Sequence, residues 1–147
     1  MTDRITLTVP AASAAVRIAR AGAAALATRA GFTYHEVEEL QLAVGEATAL
    51  LAPEPEGDGT LTITFEVEAD SVRVDLHLTD PGTTPARPRT DILGPGTDAA
   101  GTTATAPAPT VAAAVLDTAV DTWHVLDGGR QVVLAKRSSY TDTDDDD

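Results

Sequence analysis

A capped amphipathic helix followed at once by two strictly alternating runs confines this chain to few architectures. Thr33-Tyr-His-Glu36 has the form of a capping box, with Thr33 as N-cap and Glu36 at N3. The segment it opens runs to about Ala52 and places Val37, Leu40, Val44 and Leu51 inward, with Glu36, Glu38 and Glu39 near its positive end. Pro53-Glu-Pro-Glu-Gly-Asp-Gly59 then breaks the chain. Beyond it Leu61, Ile63, Phe65 and Val67 alternate with polar residues, as do Val72, Val74, Leu76 and Leu78, with Ala69-Asp70-Ser71 as the hairpin turn.

The flanks extend this pattern. Ile5, Leu7 and Val9 form a short amphipathic strand closed by Pro10. From Ala11 to about Ala30 the period turns helical, with Val16, Ala19, Ala23, Leu26 and Ala27 as one stripe and Gly31 as C-cap. Residues 81–109 carry no clear periodicity and are rich in Pro, Gly, Thr and Ala, which reads as a mobile loop, a lid or a binding segment. Thr110 caps a short helix bearing Val111, Val115 and Ala119 on one face, and Trp123, Val125, Val132 and Leu134 supply a last hairpin around Asp127-Gly-Gly129. The order β-α-α-β-β-loop-α-β-β predicts an α+β fold, a two-layer α/β sandwich whose mixed sheet carries its helices on one face. Residues 1–137 would form one domain, and 138–147 a disordered acidic tail.

Composition narrows the function. Apolar residues are 43% of the chain but aromatics only 3%, which suits helix packing on small residues better than an aromatic all-β core. Net charge is −13, and Asp142 with Asp144 to Asp147 contributes five negatives. The rest is acidic too, which argues against a nucleic-acid-binding face and for a basic protein partner. Without cysteine there are no disulfides, thiolate metal sites or cysteine nucleophiles. No apolar run approaches the roughly 20 residues of a membrane span, and Met1-Thr-Asp-Arg leads straight into strand residues rather than a signal peptide. A soluble cytoplasmic domain is expected.

Several residues carry two readings each. Glu46 lies two positions past Val44 and is either a carboxylate turned partly toward the sheet or a flank glutamate. Leu78-Thr-Asp80-Pro-Gly82 is either a ligand-facing strand end or an ordinary turn, since Pro presets φ and Gly tolerates either sign. Arg17 and Arg20, three apart on the first helix, read by themselves as solvated charges. Lys136 and Arg137 read as residues that keep the last strand soluble. His35, His77 and His124 repeat no ligand spacing, so no metal site is expected. The acidic tail is a solubilising segment or a competitor for basic surfaces.

Across residues 3–137 the opening strand, Pro10-Ala-Ala-Ser, the Arg-bearing helix, "ELQLAVGEA", "LTDPG" and "DGGRQVVLAKR" together resemble anti-sigma factors of the RsbW/SpoIIAB type, which have the GHKL (histidine-kinase-like, or Bergerat) ATPase fold. Leu40-Gln-Leu-Ala-Val-Gly-Glu-Ala is the most specific part, where that family writes something like "LRLAVDEA". The stretch from Ala108 to Gln131 resembles a divergent actinobacterial branch of that family. The resemblance implies that Glu46 stands where the family has the general base of a serine protein kinase. It also implies that Asp80 and Gly82 stand at the adenine site, and that the magnesium-binding Asn falls on Leu50. The second glycine of the family's Asp-x-Gly-x-Gly is Thr84, and the glycine-rich phosphate cradle near 105–113 carries Pro107 and Pro109, which lack an amide proton.

The expected function is therefore an anti-sigma factor that sequesters an alternative sigma factor and is released by a STAS-domain anti-anti-sigma partner. It would act as a homodimer, with Arg17 and Arg20 on its partner surface. No cofactor is expected, or ATP with magnesium if the nucleotide site still functions. Two alternatives stand beside it: an active serine protein kinase that phosphorylates the STAS partner through Glu46, and a non-catalytic scaffold for another regulator.

Overall fold

The computed structural model describes residues 2–51, 59–79 and 111–139. In chain order the elements are β1 (Asp3–Pro10), α1 (Ala14–Arg29), α2 (Tyr34–Leu51), β2 (Thr60–Val67), β3 (Ser71–Thr79), α3 (Val111–Ala119), β4 (Thr122–Leu126), a 3-10 turn (Asp127–Gly129) and β5 (Gln131–Arg137). The strands form one sheet in the order β1-β2-β3-β5-β4. The sandwich has its helices on one face, as expected. The sheet, expected to be mixed, is antiparallel at each described ladder. β3 and β4 do run the same way, but β5 inserts between them, so no parallel pair forms.

Alternation decides which face is covered. Leu61, Ile63, Phe65, Val67, Val72, Val74 and Leu76 point to the helices and are buried, while Arg4, Thr6 and Thr8 of β1 lie on the opposite, exposed side. Ile63 pairs with Leu76, and Leu76 with Val132, so one apolar row runs across three strands. Leu40 and Val44 of α2 and Leu116 of α3 close this core from above, each fully buried. Apolar burial on this scale is the main stabilising term of such a domain.

α1 departs from the expected stripe. Its buried positions are Ala15, Ala19, Ala23 and Ala27, with Leu26 at the margin, and Val16 is only half-buried. Small residues let the helix axis come close to the sheet. A Cβ on Gly22 would stand 3.1 Å from the Phe65 ring, which leaves no space for a larger residue.

The capping box forms as predicted. Thr33 N donates to Glu36 Oε2 at 2.8 Å, and Glu36 N to Thr33 Oγ1 at 3.3 Å. The same carboxylate accepts Ser139 N at 2.6 Å, while Ser138 N donates to Asp70 O at 2.7 Å. Ser138 and Ser139, expected to begin the tail, are thus tied to α2 and to the β2–β3 turn. Burial alone would raise the Glu36 carboxyl, but the donors of Ser139 and Thr33 outweigh it and lower its pKa from 4.5 to about 2.

Lys136 corrects another expectation. It is buried rather than a solubilising residue: its Nζ donates to Ala119 O at 2.9 Å and lies 2.8 Å from Glu39 Oε2. The last strand therefore reaches up to close the C-terminus of α3 and the flank of α2 with one ammonium. Arg137 does stay exposed, but its backbone N donates to Asp121 Oδ2 at 2.6 Å.

Candidate functional site

At one end of the sandwich the ends of β1, β2 and β3 meet. Ala11 N, just past β1, donates to Gly59 O at 2.9 Å, just before β2, and Thr60 pairs with Thr79 at the end of β3. A Cβ on Gly59 would meet Leu78 Cδ1 at 3.2 Å and Thr79 O at 3.3 Å, so three strand ends converge tightly here. The strand that leads to Asp80 is thereby delivered to this edge. Asp80 and Gly82 themselves, with the 105–110 part of the expected phosphate cradle, lie outside the described residues. α3 is held by its last residue against Lys136 at the far end, so it begins toward the site, where Val111 is exposed.

The helices supply the remaining residues. Glu46, on the C-terminal half of α2, is half-buried and makes no hydrogen bond or ion pair among the described residues. Its neighbours Ala47 and Thr48 are fully buried, and Thr48 Oγ1 bonds back to Val44 O at 2.7 Å, so this turn is firmly seated. One turn on, Leu50 is 46% exposed. A large apolar side chain on the surface of the site end is out of keeping with a core role.

Whether a magnesium-bridged nucleotide fits can be judged from these donors. Magnesium takes oxygen ligands in near-ideal octahedral geometry. Leu50 offers no oxygen, and the described residues hold no cluster of three or more His, Asp or Glu able to bind a metal ion. Glu46 is the one carboxylate at this place on α2, and the described residues do not fit the ion at position 50.

α1 lies antiparallel beside α2 and brings its arginines to the same region. α1 holds Arg17, Arg20 and Arg29 and no acidic residue, whereas α2 holds Glu36, Glu38, Glu39 and Glu46 and no Lys or Arg. Among the described residues Arg4 pairs with Glu66, Arg29 with Asp3 at 2.7 Å, Lys136 with Glu39 and Arg137 with Asp70 at 3.5 Å. Arg17 and Arg20 are exposed and have no ion pair among the described residues. Arg17 borders a shallow cavity of about 330 Å³ with Ser13 and Ala14. Exposed Ile18 and Leu42 add apolar surface on α1 and α2. The structure thus gathers Glu46, Leu50, Arg17 and Arg20 on the helical layer.

Sequence reasoning missed Gly45. Its backbone has no positive φ, and the atoms nearest to where its Cβ would stand are those of Arg20: Cδ at 3.2 Å, Cγ at 3.5 Å and Nε at 3.8 Å. Gln41 Nε2 also reaches Arg20 O at 3.4 Å. The available signal was a glycine in the middle of a helix, where it costs about 1 kcal/mol relative to alanine.

No helix among the described residues is long and apolar enough to cross a membrane. Residues 9–136 match the model of the histidine kinase-like ATPase domain. Over 47 residues the chain is 45% identical to proteins described as serine-protein kinase RsbW from Listeria monocytogenes (strains HCC23 and EGD-e) and from Listeria innocua. The matched stretch is 32% of this chain and 30% of each of those relatives, so the likeness spans under a third of their length.

Proposed function

This chain belongs to the histidine kinase-like ATPase domain family, and from that premise we propose that it is an anti-sigma factor working by occlusion rather than by phosphoryl transfer. It binds an alternative sigma factor in the cytoplasm and covers surface which that factor needs for polymerase. A STAS-domain partner releases it by competing for the same face, and control rests on affinity and concentration. Arg17 and Arg20 belong to that face, and a homodimer presents it twice.

The observation that carries the reading is the contrast between two neighbouring regions. The helix face keeps two arginines with no ion pair among the described residues, while position 50 has an exposed leucine where the resemblance calls for a magnesium ligand. Phosphoryl transfer depends on positioning and on charge neutralisation by metal ions. A tenfold loss in rate corresponds to about 1.4 kcal/mol, and losing metal coordination costs several such steps. Pro107 and Pro109 remove two amide donors from the cradle by their chemistry alone.

Co-purification of the full chain from its host tests this. A sigma factor at stoichiometric level is expected, with little ATP affinity by calorimetry in magnesium. Absence of any sigma factor would count against the proposal. A second reading, a serine kinase acting on a STAS protein, is favoured by Glu46 and by the identity to serine-protein kinases. Tight magnesium-dependent ATP binding would select it.

A further inference from the structure

Gly45 is needed neither by the backbone nor by the core. Its φ is not positive, it is only half-buried, and it stands mid-way along an 18-residue helix. Alanine there would make a better helix former. The space that its missing Cβ leaves is taken by one side chain, that of Arg20, whose aliphatic stem crosses α2 at this point. Arginine commonly lays its methylenes on a neighbouring surface and keeps its head in water.

We infer that Gly45 is a positioning residue: it seats the stem of Arg20 across α2, so that the guanidinium is held ready on the α1–α2 surface as a clamp for a carboxylate of a partner protein. Three features point to a carboxylate-bearing protein segment. The guanidinium has no ion pair among the described residues, and its planar fork suits a bidentate carboxylate. α1 is wholly cationic in its charged residues, with Arg17 one turn away. Exposed Leu42, one turn before Gly45 on α2, gives the surface apolar area beside the charge, as amphipathic protein segments require. Holding the side chain before contact lowers the ordering cost of docking. A Cβ at position 45 would stand 3.2 Å from Arg20 Cδ, so the stem would have to shift by a few tenths of an ångström. The docking half of this inference rests on the proposed function; the seat does not.

A double-mutant cycle separates the two. Full-length wild type, Gly45→Ala, Arg20→Ala and the double variant are melted, and each is titrated against the sigma factor identified by co-purification. In the Arg20→Ala background, Gly45→Ala is expected to raise Tm by about 2–4 °C as helix propensity is recovered. In the presence of Arg20 the gain should shrink or reverse. Gly45→Ala should weaken binding at least tenfold when Arg20 is present and leave it unchanged when Arg20 is gone. Equal Tm gains in both backgrounds would overturn the seat. Coupled melting with binding unchanged in Arg20→Ala would keep the seat and overturn the clamp, along with the assignment of Arg20 to the partner face.

Discussion

Lys136, on the last strand, and Ala119, the last residue of α3, meet through a hydrogen bond of 2.9 Å from Nζ to the carbonyl oxygen. The ammonium is buried and also faces Glu39 at 2.8 Å. Lys136→Met keeps the stem and removes the charge. It leaves a helix-terminal carbonyl without its donor and a glutamate without its cation. Stability should fall by about 2 kcal/mol, the range for hydrogen bonds to charged groups, as measured by urea unfolding. Arg137→Ala, on the exposed side, should cost about 1 kcal/mol at most.

Glu36 makes stability acid-sensitive in a defined window. Its folded pKa, about 2, lies below the ordinary 4.5, so the unfolded chain takes up the proton first as pH falls. The stabilisation is complete above about pH 4.5 and is lost between there and pH 2. Tm of the wild type should therefore drop more steeply across that window than Tm of Glu36→Gln. Parallel curves for the two proteins would remove Glu36 as the source.

Two helical glycines should respond differently to alanine. Gly22 faces the ring of fully buried Phe65 at 3.1 Å, where nothing can yield, whereas Gly45 faces a flexible, exposed arginine. Gly22→Ala gains helix propensity but overpacks the core, and a net loss of about 1–2 kcal/mol is expected from denaturant unfolding. A gain in stability would show that α1 can lift from the sheet without penalty.

Restoring one polar group at position 50 should not restore a nucleotide site. Leu50→Asn changes an exposed side chain, so stability should move by no more than about 0.5 kcal/mol. Calorimetry with ATP and magnesium should still detect no tight binding, because the cradle prolines remain. Tight, magnesium-dependent binding by this variant would overturn the occlusion mechanism.

What could be read from the sequence was local. The Thr33–Glu36 box spans four residues and appears as written, and the alternation of β2 and β3 leads directly to their register. In α1, Ala19, Ala23 and Ala27 are buried as expected, and only the first member of the stripe differs: Ala15 is buried in place of the larger Val16. Close approach to the sheet rewards the smaller side chain. Lys136 was misjudged because its partners, Glu39 and a backbone carbonyl, meet it only in three dimensions. At the candidate site, Leu50 could be singled out through the family resemblance, while Gly45 shows only as a mid-helix glycine, because its contact with Arg20 joins two helices.

The insertion of β5 between β3 and β4 has a consequence for biogenesis. As the polypeptide leaves the ribosome, β4 emerges with no neighbour to bond to, and β3 keeps one edge open. Both wait for the residues up to Arg137, so the described sheet stays open along these edges until β5 has emerged. Truncation within 131–137 should therefore abolish folding of the whole domain rather than trim it.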